Sequence, residues 1–169
     1  MTSPIRKLTC GIRAKVLMPT IKKHIKRKDR VLDVGCDTGI VTNHIKKSIG
    51  CEIKGTDKKN VLENDIPFST HYIAGTHNKI LLIDVLHHIP RNKQLSTIKH
   101  WEKYGEVIII ETEPNLVAHF VDFMNEKRGM VTPYAFRKQV GWQRLLHDYK
   151  VKRIKTPCWY PLKHLVITK

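Results

Sequence analysis

A short apolar segment, Arg30 to Val34, runs directly into Gly35-Cys36-Asp37-Thr38-Gly39 and then into a helical repeat. That junction constrains the chain more than any other feature. Glycines let the backbone turn sharply and pass close to a ligand, and the helix that follows presents unpaired N–H groups at its start. Val41, Ile45 and Ile49 fall at i, i+4 and i+8, and Gly50 stands where a left-handed C-terminal cap is needed. Cys51 to Thr56 then reads as a second strand with Asp57 at its tip. An acid about 20 residues past such a turn can accept hydrogen bonds from both hydroxyls of a ribose. Gly35, Gly39 and Asp57 are therefore the first candidate binding residues, against the plainer reading of a tight strand-to-helix turn and a solvated strand end.

The rest of the chain keeps alternating strand and helix. Lys58 to Gly75 carries Pro67 and no helical period, and reads as irregular chain with a short strand near His71 to Ala74. Lys79 to Ile83 is a continuous apolar run, as in a strand buried on both faces of a parallel sheet, and it ends in Asp84-Val85-Leu86-His87-His88. Leu95, Ile98 and Trp101 step at threes and predict an amphipathic helix before the β-branched strand Glu106 to Ile110. From Thr112 to Gly129 a helical stretch carries Phe120, Phe123 and Met124, and a helix follows around Trp142, Leu145 and Leu146. Two late strands, Tyr149 to Lys155 and His164 to Thr168, predict an antiparallel edge. The fold class is α/β.

Length and charge limit the partners. At 169 residues and 41% hydrophobic content, the chain supports one core. Its 31 Lys and Arg against 15 Asp and Glu give a formal charge of +16, a field that favours nucleic acid, an anionic membrane surface or a phosphorylated small molecule. A compositional bias that leaves a solvated basic surface is the competing explanation. Cys10, Cys36, Cys51 and Cys158 form no C-x-x-C pair, so neither a metal site nor a disulfide framework is expected, and a reducing cytoplasm is the default. No apolar run reaches the length of a membrane span. Residues 1 to 28 contain no acid and superficially resemble a transit peptide. Ile12, Val16, Ile21 and Ile25 suggest instead a basic helical extension, interrupted by Pro19, placed before a domain over residues 29 to 169.

Val31-Leu32-Asp33-Val34-Gly35-Cys36-Asp37-Thr38-Gly39 resembles the first motif of class I S-adenosylmethionine-dependent methyltransferases, commonly V-L-D-x-G-C-G-T-G. Asp84-Val85-Leu86-His87-His88-Ile89 is similar to the fourth-strand motif of the subgroup called methyltransferase type 11. Pro133-Tyr134-Ala135-Phe136, Trp142-Gln143-Arg144-Leu145-Leu146 and Pro161 to Ile167 are similar to the C-terminal pattern of such domains. The resemblance covers roughly residues 28 to 169. It implies a Rossmann-like, mostly parallel seven-stranded sheet in the order 3-2-1-4-5-7-6, with strand 7 antiparallel and helices on both faces. It implies S-adenosyl-L-methionine as cofactor at the carboxyl ends of the strands. Carried over by position, Asp33, Gly35, Cys36 and Gly39 surround the methionine part, Asp57 takes the ribose, and Ile83, Asp84 and Val85 pass beneath the sulfonium. Asp37 departs from the pattern, standing where the family has a glycine. Its charge there is favourable only if it points outward or meets the sulfonium or amino group. The segment from Gly75 to Asn78 is shorter than in the family, and Asn78 stands where an Asp usually precedes strand 4.

A sulfonium leaving group is already activated, so the protein mainly aligns nucleophile, methyl carbon and sulfur. An oxygen nucleophile also needs a base, and His87, His88 and Glu111 are the candidates near the ends of strands 4 and 5. A packed histidine, or one that caps the next helix, is the plainer reading of that pair. No N-P-P-Y string and no placeable K-D-K-E pattern narrows the methyl acceptor, which is a small molecule or an anionic substrate such as RNA. Two other readings stand beside an active enzyme: a degenerate member that binds nucleic acid or a partner through its basic face, and peripheral membrane attachment through the basic leader. The sequence specifies no oligomeric state.

Overall fold

The computed structural model describes residues 4–57, 77–127 and 135–169. The elements in order are helix α1 (Pro4–His24), strand β1 (Arg30–Val34), helix α2 (Ile40–Ile49), strand β2 (Glu52–Thr56), strand β3 (Lys79–Ile83), a 3-10 turn (Leu86–His88), helix α3 (Arg91–Glu102), strand β4 (Glu106–Thr112), helices α4 (Leu116–Lys127) and α5 (Gln139–Leu145), and strands β5 (Lys150–Arg153) and β6 (His164–Thr168). Six strands form one sheet in the order β2-β1-β3-β4-β6-β5. The pairs among β2, β1, β3 and β4 are parallel, and β6 runs antiparallel to both β4 and β5. The expected third strand at His71 to Ala74 lies outside the described residues, as do Pro133 and Tyr134. With that strand set aside, the order is the one the family resemblance implies.

The central strands are continuously apolar because both of their faces are covered. Leu81, Ile83, Ile108 and Ile110 point into a core shared with α1 and α2, while Ile80, Leu82, Val107 and Ile109 point into one shared with Ile98 of α3 and Trp142 of α5. Gly50 ends α2 at φ 73°, its N–H bonded to the Lys46 carbonyl at 2.8 Å, as the glycine-cap reading requires.

Three expectations need correction. Pro19 does not interrupt the leader helix: α1 runs through it. A proline there removes one backbone hydrogen bond, but burial of Ala14, Leu17, Met18, Ile21 and Ile25 against the sheet offsets the loss. Strand β4 runs two residues further than its β-branched core, because Glu111 and Thr112 pair with Leu165 and His164 of β6. On α3, Leu95 is 37% exposed and Gln94 is fully buried in its place. The Gln94 amide donates to the carbonyls of Leu86, Ile89 and Ala135, pinning the 3-10 turn after β3 to the segment that leads into α5.

Candidate functional site

The turn between β1 and α2 is built from left-handed residues: Gly35 at φ 75°, Asp37 at 50° and Gly39 at 71°. Asp37 is the costly one, since a residue with a Cβ is rare in that region. What holds it is a bond from its own N–H to Asp57 Oδ2 at 3.0 Å. Gly35 and Cys36 donate to the Thr56 carbonyl at 2.7 and 3.2 Å, so the turn is stitched to the end of β2 at three points. A Cβ on Gly35 would lie 2.6 Å from Val85 Cγ2. The turn therefore packs directly on the chain leaving β3, and only glycine fits. In this way Gly35, Cys36, Asp37, Gly39, Asp57, Ile83, Asp84 and Val85 gather at the carboxyl ends of β1, β2 and β3.

Two buried carboxyls lie under this surface. Burial raises Asp33 to about 7, against a hydrogen bond from Thr42 Oγ1 to its Oδ2 at 2.5 Å. Burial also pushes the Cys36 thiol well above its ordinary range, so that sulfur is an inert packing group. Asp84 is held differently. It sits at φ 54°, with Arg13 Nη1 of α1 donating to Oδ2 at 2.9 Å and the Thr112 N–H and Oγ1 donating to Oδ1 at 2.9 and 2.7 Å. Burial favours its neutral form, but Arg13 and these donors outweigh that effect and bring it down to about 2.

The Asp84 cluster continues inward. Thr112 Oγ1 lies 3.1 Å from His164 Nδ1, and His164 Nε2 lies 3.0 Å from the Tyr160 hydroxyl. Counting protons fixes the directions. The single hydroxyl proton of Thr112 goes to Asp84, so His164 donates from Nδ1 and accepts the Tyr160 proton at Nε2, which is a neutral imidazole. Burial lowers the His164 pKa against the pull of Asp84 and raises Tyr160 to about 12, consistent with that assignment. Arg13, Thr112, Tyr160 and His164 were not singled out from the sequence, because their partners come from distant elements and leave no local pattern.

The three base candidates are placed unequally. Glu111 is 1% exposed, and its Oε1 accepts from the N–H groups of Val85 and Leu86 at 2.9 and 2.6 Å. Its Oε2 lies 2.7 Å from His87 Nδ1. His87 is buried and stacks on Phe136 at 4.5 Å between ring centroids. His88 is half-buried, with its ring 4.0 Å from that of His87. Asp84, His87 and Glu111 also bring ligand-type atoms within 4.8 Å of one another. Their oxygens, however, already accept from Arg13, Thr112, the β3 turn and His87, so protein donors fill the places a cation would take.

Over the glycine turn lies a small cavity of about 20 Å³, lined by Gly35, Cys36, Asp37 and Ile83 and by Cys10 and Arg13 of α1. The leader helix thus forms part of the site wall.

Comparison with known proteins agrees with this architecture. A family model described as a methyltransferase domain matches residues 6–165, a span that includes most of α1. Magnesium protoporphyrin IX methyltransferase from Synechocystis PCC 6803, solved with bound SAH, superposes with a TM-score of 0.62 at 15% identity, over 100% of this chain and 88% of that one. A SAM dependent methyltransferase from Archaeoglobus fulgidus gives 0.65 at 12% identity, over 95% and 94%. Human N-acetylserotonin methyltransferase, in complex with SAM, gives 0.65 at 15% identity, over 96% of this chain and 53% of that one. No curated protein matches by sequence. With the family match spanning nearly the whole chain, and with the glycine turn, the Asp57 contact and the sheet order in place, this chain belongs to the methyltransferase domain family.

Proposed function

We propose that this chain binds S-adenosyl-L-methionine across the carboxyl ends of β1, β2 and β3 and transfers its methyl group to an anionic acceptor. The observation that carries the reading is the bond from Asp37 N–H to Asp57 Oδ2, which sets the ribose-type acid of β2 directly against the glycine turn of β1. The residues present suit the group: a turn in which Gly35 packs on Val85 with no room for a side chain, an acid at the tip of β2, and an ionised Asp84 beside the chain leaving β3. The cavity over the turn is far smaller than a cofactor, so side chains that line it would need to move on binding.

In this reading Asp57 accepts from the ribose hydroxyls, and Gly35, Cys36, Asp37 and Gly39 line the methionine part above Asp33. Ile83, Asp84 and Val85 face the sulfonium, where the Asp84 charge is favourable. When bound, the cofactor supplies a methyl carbon on an activated sulfur. Glu111 orients His87 through Nδ1, so a proton taken from an acceptor hydroxyl would go to His87 Nε2, with His88 as the neighbouring alternative. The formal charge of +16 supports an anionic acceptor. Four free cysteines fit a reducing cytoplasm, and among the described residues no helix is long and apolar enough to cross a membrane.

Calorimetric titration with S-adenosylmethionine and S-adenosylhomocysteine tests the proposal. Micromolar binding is expected, and Asp57→Ala should weaken it roughly 100-fold or more, since two charge-assisted hydrogen bonds are lost. Undetectable binding of both ligands to the unmutated chain would overturn the reading. That result would favour a non-catalytic protein acting through its basic surface.

A further inference from the structure

On the other side of α1 from the glycine turn, an open groove of about 600 Å³ runs between that helix and the loop joining β5 to β6. Ile12, Val16 and Pro157 line its apolar part, Lys15 and Lys155 are exposed beside them, and Trp159 stands at its wall. The indole is 65% exposed, a large aromatic surface left in water. Both walls come from segments without negative charge: no Asp or Glu precedes Asp29 or follows Asp148. The groove therefore combines a flat aromatic face, a volume suited to a nucleotide-sized group and two exposed lysines, one on each wall.

The geometry points to this groove as a binding site for single-stranded nucleic acid, with an unpaired base stacked on Trp159 and the adjoining phosphates on Lys15 and Lys155. Stacking on an aromatic ring needs a base whose face is exposed, which a duplex does not offer, and the lysines track the backbone charge. A membrane is the poorer match. The apolar surface lies recessed in a groove, and exposed Lys7, Lys22 and Lys23 accompany it along the same helix, whereas a lipid-facing helix presents a continuous apolar face.

The groove also connects to the candidate site. Residues of α1 line both, with Ile12, Lys15 and Val16 on the groove and Cys10 and Arg13 on the cavity. Trp159 sits edge-on to Tyr160 at 6.0 Å between centroids, and Tyr160 joins Asp84 through His164 and Thr112. This inference rests on the methyltransferase reading in one respect: it names the anionic acceptor of that site as a polynucleotide held beside it.

Fluorescence anisotropy of labelled oligouridylate and oligothymidylate, over a series of salt concentrations, tests it. Both probes should bind the unmutated chain at low salt. Trp159→Ala should weaken binding roughly 5- to 100-fold at fixed salt while leaving the salt slope unchanged, the signature of lost stacking. Trp159→Phe should retain most of the affinity. Lys15→Gln and Lys155→Gln should each lower the slope of log affinity against log salt by about 0.7. Equal affinity for Trp159→Ala and the unmutated chain, or no oligonucleotide binding at low salt, would overturn the proposal. So would co-sedimentation with phosphatidylglycerol vesicles that depends on Trp159 while oligonucleotide binding does not. Titration with S-adenosylhomocysteine keeps the two readings apart. Cofactor binding without Trp159-dependent oligonucleotide binding removes the groove alone, and the converse removes the methyltransferase reading alone.

Discussion

Asp33 lies near the end of β1, and Asp84 sits one residue past the end of the neighbouring β3. Both carboxyls are buried, yet they titrate in opposite directions, Asp33 rising to about 7 and Asp84 falling to about 2. Burial acts on both in the same sense, so the difference lies in what each carboxylate accepts. Asp33 has a hydrogen bond from Thr42 and feels the charge of Arg13 without a hydrogen bond from it. Asp84 has the Arg13 guanidinium itself, together with the hydroxyl and the N–H of Thr112. One strand tip is built to tolerate a proton at neutral pH, and the other to hold a charge at any working pH.

Removing Arg13 should break the contrast most severely. Arg13→Met leaves Asp84 buried without its cation and should cost about 3–5 kcal/mol, the usual consequence of stranding one half of a buried pair. The sign with pH follows from the depressed carboxyl. In the unmutated chain its contribution is present above the ordinary value of 3.8 and is lost as pH falls through about 2. In Arg13→Met the acid side of the stability curve should move to higher pH. Urea unfolding between pH 3 and 8 measures both effects. A curve that shifts down uniformly, with an unmoved acid limb, would remove Arg13 from the control of Asp84.

Asp33→Asn should act in the opposite direction and somewhat less strongly. The folded chain holds a proton on Asp33 more tightly than the unfolded chain does. Stability is therefore full below the ordinary value of 3.8 and is lost as pH rises to about 7. A neutral amide of the same shape removes that loss while its oxygen still accepts from Thr42. The variant should gain on the order of 2–4 kcal/mol at pH 8 and little at pH 4. Equal gains at both pH values would show that the Asp33 proton is not the cause.

The contrast between these strand tips was half legible in the sequence. The bounds of β1 and β3 follow from apolar runs, and the Gly50 cap and the Asp57 spacing are local signals that a chain carries openly. Partners were harder to see. Arg13 reaches Asp84 across 71 residues, and Thr112 reaches His164 across 52, whereas periodicity reports only neighbours a few positions apart. The same limit explains why β4 was read short: its last two pairings exist only once β6 is beside it. Gln94 was missed for another reason. A polar residue on a helix reads as solvent-facing, and nothing local announces that three carbonyls converge on its amide.

The smallest test concerns the far end of the Asp84 cluster. Tyr160→Phe removes the hydroxyl that donates to His164 Nε2 and leaves the ring and its packing intact. If Tyr160 serves mainly to satisfy a buried imidazole, the cost should be about 1 kcal/mol, the net worth of one hydrogen bond. That nitrogen would then be an unpartnered acceptor in a buried setting, beside an ionised Asp84 that favours a proton on the ring. The His164 pKa, lowered by burial in the unmutated chain, should therefore rise in the variant, and NMR titration of the imidazole would report it. The sign follows because the Tyr160 hydroxyl donates to the neutral ring and so stabilises the form without the second proton. An unmoved His164 titration would mean that the ring is held neutral by burial alone. The control of charge by partners would then end at Thr112 rather than reach into the core.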